Sequence, residues 1–178
     1  GAEIKVSGYA AVFSQEADIG GMFREVIAPG AFTDAIGRDD VVFLINHDGL
    51  PLARTRSGTL TLTQDATGLR MDTVLDGDDP DVRAIVGKMK RGDLDKMSFA
   101  FLPEVQEWDD SGDVPLRTIK KASLFDVSIV TTPAHDGTSI GLRSLDAFRN
   151  EQKTRNFSAA AMRHRMKMNL RLRSAENG

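Results

Sequence analysis

The feature that most constrains the fold of this chain is a succession of short segments with strand character, separated at close intervals by turn residues. Residues 3–13 are apolar and β-branched enough for a strand, the apolar run VVFLIN covers residues 41–46, and residues 59–63 alternate leucine with threonine. A doubly wound sheet requires regular alternation of strands with helices, and no such alternation is visible. We therefore predict a mainly β, α+β fold, in which a closed or nearly closed antiparallel β-barrel carries flanking helices.

The other predicted elements are short. Further strands are expected at residues 24–27, 69–75, 96–108, 115–120 and 124–130. A short helix is predicted over residues 31–36. A stronger helix prediction begins at Asp79-Pro80-Asp81 and ends near Lys90, because proline suits the first turn of a helix and Gly92 suits its end. Gly8 indicates a bulge or a close approach of two backbones in the first strand.

Composition excludes several classes of function. The 178 residues include no cysteine and only 3 histidines, so disulfide scaffolds, thiol nucleophiles and thiolate metal sites are excluded. No apolar run approaches the roughly 20 residues that span a bilayer, and the first residues lack the features of a signal peptide. We expect a cytoplasmic protein with no membrane contact.

Charge divides the chain into two regions. Residues 143–178 carry 9 Lys/Arg and 3 Asp/Glu, which leaves 14 and 23 for residues 1–142, so the formal net charges are +6 and −9. We predict a folded domain over residues 1–142 and a basic C-terminal extension over residues 143–178, partly helical or disordered. Nucleic acid is not expected to bind except through this extension. The run FSAAAMRHRM within it is predicted to be an accessible, unstructured stretch.

Three polar side chains lie in or directly after apolar strands. His47 follows the run VVFLIN, Ser98 lies inside MSFAF, and Asp126 lies inside LFDVSIV. A carboxylate in an apolar strand is costly to bury without a partner, and a histidine is a suitable one. Together these residue types provide the nucleophile, base and orienting acid of a serine hydrolase. The chain has no G-x-S-x-G motif, which disfavours an α/β-hydrolase.

Structural roles are the alternative for the same three residues. His47 can be a hydrogen-bonded residue at a strand end, Ser98 can face outward, and Asp126 can pair with Lys120 or Lys121. Spacing alone leaves both interpretations open.

Metal binding is a further alternative. His47, Asp48 and His135 could form a metal site, although they lack the i, i+4 spacing of helical ligands. The acidic loop at residues 76–81 resembles a calcium loop in charge only, and a turn followed by a helix N-terminus is the better interpretation. We predict no metal and no cofactor.

Seven motifs follow one another in a specific order. They are GYAAVF (8–13), GG-x-F-x-E-x-I-x-PGAF (20–32), V-x-F-L-x-NHD (41–48), R-T-x-SGTL-x-L (54–62), D-x-x-GL (65–69), MSFAF (97–101) and L-x-DVS-x-V-x-x-PA (124–134). Over residues 6 to about 142 this set resembles the tailed-bacteriophage prohead proteases, which are serine endopeptidases of capsid maturation. The resemblance implies a fold like that of the herpesvirus assemblins, a β-barrel surrounded by helices.

The resemblance also assigns roles to single residues. It implies that His47 of the NHD motif is the catalytic histidine, Ser98 of the MSF motif the nucleophile, and Asp126 of the DVS motif the acid. Assemblins use a second histidine as the third member, so His135 is a rival to Asp126. Two residues depart from the family pattern: Ala53 and Ala100 stand where related sequences often have glycine.

Substrates and location are implied in the same way. The expected partners are the major capsid protein with its scaffolding segment and the chain itself, through autocleavage and a possible homodimer. The expected location is the immature capsid in the bacterial cytoplasm.

Two alternatives stay open. Arg54 is either a helper of the histidine or a surface charge. The alternative function is a noncatalytic capsid assembly or scaffolding protein with the same barrel, although the chain keeps both His47 and Ser98.

Overall fold

Strands dominate the part of the chain that the computed structural model describes, residues 1–132 and 149–163. The first range holds β1 (Glu3–Val12), β2 (Ala17–Ile19), β3 (Phe23–Ile27), α1 (Thr33–Arg38), β4 (Val42–Ile45), β5 (Asp48–Arg54), β6 (Leu60–Gln64), β7 (Gly68–Asp76), α2 (Pro80–Arg91), β8 (Lys96–Asp109) and β9 (Leu116–Val130). The second range is helical, and its side chains are exposed. The mainly β, α+β prediction is therefore confirmed.

The chain divides into two compact units, Gly1–His135 and Asp136–Gly178. Within the described ranges, none of the helices is long and apolar enough to cross a membrane.

The strands of the first unit form two sheets. A three-stranded antiparallel sheet has the order β1-β7-β6, and a six-stranded sheet has the order β2-β3-β9-β4-β5 with β8 also paired to β9. Neither sheet closes on itself within residues 1–132, so the closed barrel is not confirmed. The strands pair mostly antiparallel, as in the predicted barrel, but β3 and β4 both run parallel to β9.

Strand β9 is the central element of the larger sheet. The two strands predicted at residues 115–120 and 124–130 are one continuous strand of 15 residues. One edge pairs with β8, and the other pairs first with β3 and then with β4. In the gap between β3 and β4, the amide of Ala122 donates to the carbonyl of Ala31 at 3.1 Å and the amide of Leu124 donates to Asp39 Oδ2 at 2.8 Å. These bonds replace the missing ladder, so the strand can continue across the gap.

A bulge reverses the alternation of β9 just before its acidic residue. Ala122 and Leu124 face the core, as do Val127 and Ile129, so the core-facing positions change from even to odd numbers. Between Leu124 and Asp126, β8 advances by one residue and β9 by two. Bulges of this kind re-aim side chains. Asp126 consequently faces away from the core, although an uninterrupted strand would have placed it inside.

The apolar face of β8 packs as the alternation predicts. Met97, Phe99 and Phe101 pack against the core, and the Phe99 ring meets that of Phe32 edge-on at 5.6 Å between centroids. A Cβ added at Gly8 would lie 3.0 Å from the side-chain sulfur of Met97, so the close neighbour is a side chain and not a backbone, and the irregularity of β1 is a register shift between Tyr9 and Ala11. The residue between Met97 and Phe99 is thereby held on the opposite face.

Other local predictions are confirmed. The hairpin β6/β7 is present, and α2 begins at an Asp79 cap whose carboxylate accepts the amide of Asp81. The helix ends at Gly92, which has a φ of 79°. Each terminus thus has the residue type that its backbone requires.

Two local predictions need correction. Strand β5 was not expected, because its sequence DGLPLAR contains glycine and proline; its place at the end of the sheet order explains why both are tolerated. Residues 157–163, predicted as unstructured, are helical. The alanines of this run have high helix propensity.

An ion-pair cluster supports β9 at the bulge. Arg38 bonds to both Asp39 and Glu104, and Asp39 also accepts the amide of Leu124. Arg38 lowers the pKa of Asp39, while the hydroxyl of Ser123 together with Arg38 lowers the pKa of Glu104 to about 2.

This cluster predicts a pH dependence of stability. A carboxyl whose pKa is lower in the folded than in the unfolded chain stabilises the fold above its unfolded pKa, and that contribution is lost as the pH falls through the folded pKa. Stability should therefore decline between pH about 4.5 and about 2. Arg38→Gln should flatten this decline, whereas Arg91→Gln, which removes the exposed pair with Asp93, should not. Urea unfolding at several pH values gives the free energy of unfolding of each variant. Equal slopes of this free energy against pH in the two variants would contradict the prediction.

Candidate active site

The histidine lies in a tight turn at the end of β4. Asn46 and His47 are the two residues between the paired positions Ile45 and Asp48. Their φ angles are 51° and 57°. A two-residue hairpin of the type I′ class requires positive φ at both central residues, and asparagine and histidine are among the few residues that adopt this conformation. The local sequence therefore suits a hairpin that presents His47 at its tip.

Three hydrogen bonds fix this turn to β9 and to the residue that follows it. Asn46 donates its amide to the carbonyl of Ile129 at 2.9 Å, and its Oδ1 accepts the amide of Thr131 at 3.0 Å. The amide of His47 donates to Ser128 Oγ at 3.2 Å. Left-handed non-glycine residues persist where the surroundings over-determine them, and such positions are common at functional sites.

The imidazole of His47 bonds to the carboxylate of Asp126. The distance from Nδ1 to Oδ1 is 2.6 Å, and the exposed fractions of the two side chains are 18% and 11%. The hydroxyl of Ser128 donates to the same Oδ1 at 2.8 Å. An ionised carboxylate only accepts, so Nδ1 carries a proton, and in the neutral imidazole Nε2 then keeps its lone pair. This is the tautomer that a general base requires.

The lysine alternative for Asp126 is wrong. The ammonium groups of Lys120 and Lys121 pair instead with Glu107 at 3.5 Å and Asp34 at 2.7 Å, respectively. The carboxylate in the apolar strand is compensated by the histidine.

Ser98 lies beside this pair on the neighbouring strand. In the register of β8 with β9, Ser98 is directly opposite Ser128. Residues opposite each other in an antiparallel pair project from the same face, with Cβ atoms about 4.5–5.5 Å apart. Ser98 is 9% exposed and Ser128 is fully buried. Ser98, Ser128 and Asp126 thus project from one face of the sheet, and the tip of the β4/β5 hairpin bonds to Ser128 and Asp126 there.

Arg54 forms an ion pair with Asp40. Its guanidinium binds Asp40 through two nitrogens, with Nη2 2.6 Å from Oδ2. This supports the interpretation of Arg54 as a surface charge.

The alternative metal sites have little support in the described residues. Within residues 1–132 and 149–163, no group of three or more acidic or histidine side chains could hold a metal ion. His135, needed for the metal site and as a rival third member, lies outside the described residues. In the loop at residues 76–81, Asp79 caps α2 and Asp78 pairs with the amino group of Gly1 at 2.8 Å.

Sequence reasoning missed Ser128. Its hydroxyl contacts both His47 and Asp126, yet the residue is inconspicuous in the run SIV. The available signal was a second polar residue two positions after Asp126, which in a strand means the same face.

Comparison with known proteins identifies the family. The family described as caudovirus prohead serine protease matches residues 1–153, a range that includes the histidine, the aspartate and both serines. No curated protein and no solved structure matches the chain significantly. Because the match extends over most of the 178 residues, the chain belongs to the caudovirus prohead serine protease family.

Proposed function

We propose that this chain is a serine endopeptidase of phage capsid maturation, with Ser98 as nucleophile, His47 as general base and acid, and Asp126 as the orienting carboxylate. The observation that carries the proposal is the 2.6 Å bond between His47 Nδ1 and Asp126 Oδ1 on the face from which Ser98 projects. Membership of a family of serine proteases supports it independently.

The chemistry follows from the positions of the protons. Asp126 holds the proton of His47 on Nδ1, so the lone pair of Nε2 can accept the proton of Ser98 as its oxygen attacks a peptide carbonyl. The imidazolium then donates this proton to the leaving amine. Water then attacks the acyl-enzyme while His47 Nε2 accepts its proton, and the imidazolium returns that proton to Ser98 Oγ as the ester bond breaks. The carboxylate of Asp126 stabilises the cationic ring in both steps.

The proposed substrates are the scaffolding segment of the major capsid protein and the chain itself, inside the immature capsid. The family supports a capsid substrate in general. Autocleavage draws support from the helix over residues 149–163, where all described side chains are exposed and Phe157 is 78% exposed. Termini are among the places where proteolysis concentrates, although a helix has to unwind locally before it can be cleaved.

The first test replaces the proposed nucleophile and base. Ser98→Ala and His47→Asn should each lower cleavage of the scaffolding segment by about 10⁴-fold or more, because members of a triad act as a unit. Asparagine is chosen since it tolerates the positive φ of residue 47. A fluorophosphonate probe should label Ser98 in the wild type, and mass spectrometry locates the label.

The control is Ser111→Ala, which removes an exposed hydroxyl from the β8/β9 turn and should leave rate and labelling unchanged. Retained cleavage in Ser98→Ala would overturn the serine mechanism. An unlabelled, inactive wild type would favour the noncatalytic assembly protein.

The third member is tested by comparing two substitutions. Asp126→Ala should lower kcat by about 10⁴-fold, because the imidazole loses the partner that fixes its tautomer. His135→Ala should cost less. Circular dichroism checks that both variants fold, and the reverse order of effects would assign the third position to His135.

Self-processing has its own readout. Incubated wild-type protein should lose part of residues 143–178, whereas Ser98→Ala should stay intact. Intact-mass spectrometry of the two samples measures this directly. Equal truncation in both would indicate a foreign protease. Wild type that stays full-length but still cleaves the scaffolding segment would contradict autocleavage and leave the proposed protease activity intact.

A further inference from the structure

We infer that Ser128 is a positioning residue, which holds His47 and Asp126 in register through one hydroxyl group. The inference rests on the proposed function, since it concerns the same catalytic pair. It begins from the location of the residue. Ser128 is fully buried in β9, on the face that carries Asp126 and opposite the face that packs into the core.

The hydrogen bonds of Ser128 have only one possible direction. The amide of His47 can only donate, so Ser128 Oγ accepts from it at 3.2 Å. The ionised carboxylate of Asp126 can only accept, so the hydroxyl proton points to Oδ1 at 2.8 Å. A hydroxyl has one proton and two lone pairs, so Ser128 donates its single proton to the carboxylate and accepts the amide with a lone pair.

These bonds close a ring with the catalytic pair. Ser128 Oγ binds the main chain of His47 and the carboxylate of Asp126, while Oδ1 of Asp126 binds the imidazole of His47 at 2.6 Å. Ser128 is therefore bonded to the main chain of His47 directly and to its side chain through Asp126, and both partners lie on β9. A displacement of the hairpin tip would lengthen at least one bond of the ring.

The ring matters because His47 lies on a turn and its partners lie on a strand. Its backbone is in the left-handed region, with a φ of 57°, so the turn needs outside support to keep this conformation. Ser98 lies opposite Ser128 in the strand register, so the same residue is also next to the proposed nucleophile. Reactive groups that move by about 1 Å can lose about 100-fold in rate.

Ser128 is not itself placed to act as the nucleophile. It is fully buried, its proton is directed at a carboxylate, and it contacts the amide of His47 rather than the imidazole. Its effect on the reaction would thus pass through His47 and Asp126.

The test compares three variants. Ser128→Ala removes the hydroxyl, Ser128→Thr keeps it, and Ser123→Ala is the matched control on the same strand, where a hydroxyl also donates to a carboxylate, that of Glu104. Ser128→Ala should lower kcat roughly 10- to 100-fold with KM nearly unchanged, because orientation and not substrate binding is lost. Ser128→Thr should retain most of the wild-type kcat, and Ser123→Ala all of it.

A spectroscopic readout separates positioning from a purely structural role. The Nδ1 proton of His47, observed by ¹H NMR far downfield, should shift or broaden in Ser128→Ala and remain in Ser128→Thr and Ser123→Ala. If Ser128→Ala does not fold, Ser128→Cys replaces it, because a thiol fills the space but donates weakly. Unchanged kcat with an unchanged resonance, or a raised KM at constant kcat, would overturn the inference.

Failure of the inference is distinguishable from failure of the proposed function. Full activity in Ser128→Ala with none in Ser98→Ala would remove the role of Ser128 and leave the serine mechanism intact. Full activity in Ser98→Ala would remove the mechanism, and with it the inference, whatever Ser128→Ala does.

Discussion

Hydrogen bonding along both edges of β9 is the constraint on which the rest of the site depends. One edge carries β8 with Ser98, and the other carries β4, whose hairpin ends in His47. Hydrogen-bonded strands have a fixed spacing and register, so pairing along β9 places Ser98 and Asp126 on one face and the hairpin of β4 beside Asp126. The gap before β4 is bridged by Ala31 and Asp39, so the order of the strand is maintained up to the site.

The second constraint is the cost of a buried carboxylate. Asp126 is buried, and an unpaired charge at such a position would be strongly destabilising. The bulge turns the residue out of the apolar core, and two donors then reach the same oxygen. The requirement for compensation and the requirement for an oriented imidazole are met by the same bonds. A single arrangement therefore serves both stability and the proposed chemistry.

Residue types and local pattern indicate three candidates, His47, Ser98 and Asp126, because polar residues are unusual inside or directly after apolar strands. Their catalytic roles follow from the resemblance to the prohead proteases and stay a prediction. In the structure His47 bonds to Asp126, and Ser98 projects from the same face as Asp126. Ser128 was not predicted, because a serine within a strand has no distinguishing sequence pattern and only its contacts show its role. The Lys120 and Lys121 alternatives were reasonable by proximity in sequence, but they face other carboxylates.

Strand periodicities, the caps of helix α2 and the chemical types available for catalysis can be predicted from the sequence, because they depend on neighbouring residues and local backbone preferences. The face that Asp126 occupies depends on tertiary structure, since one extra residue in β9 reverses the alternation and the bulge is visible only against β8. Tertiary structure also decided the pairing of His47 with Asp126, which are 79 positions apart. Parallel pairing of β4 with β9 creates that contact, and no local pattern specifies which distant strand a given strand will meet.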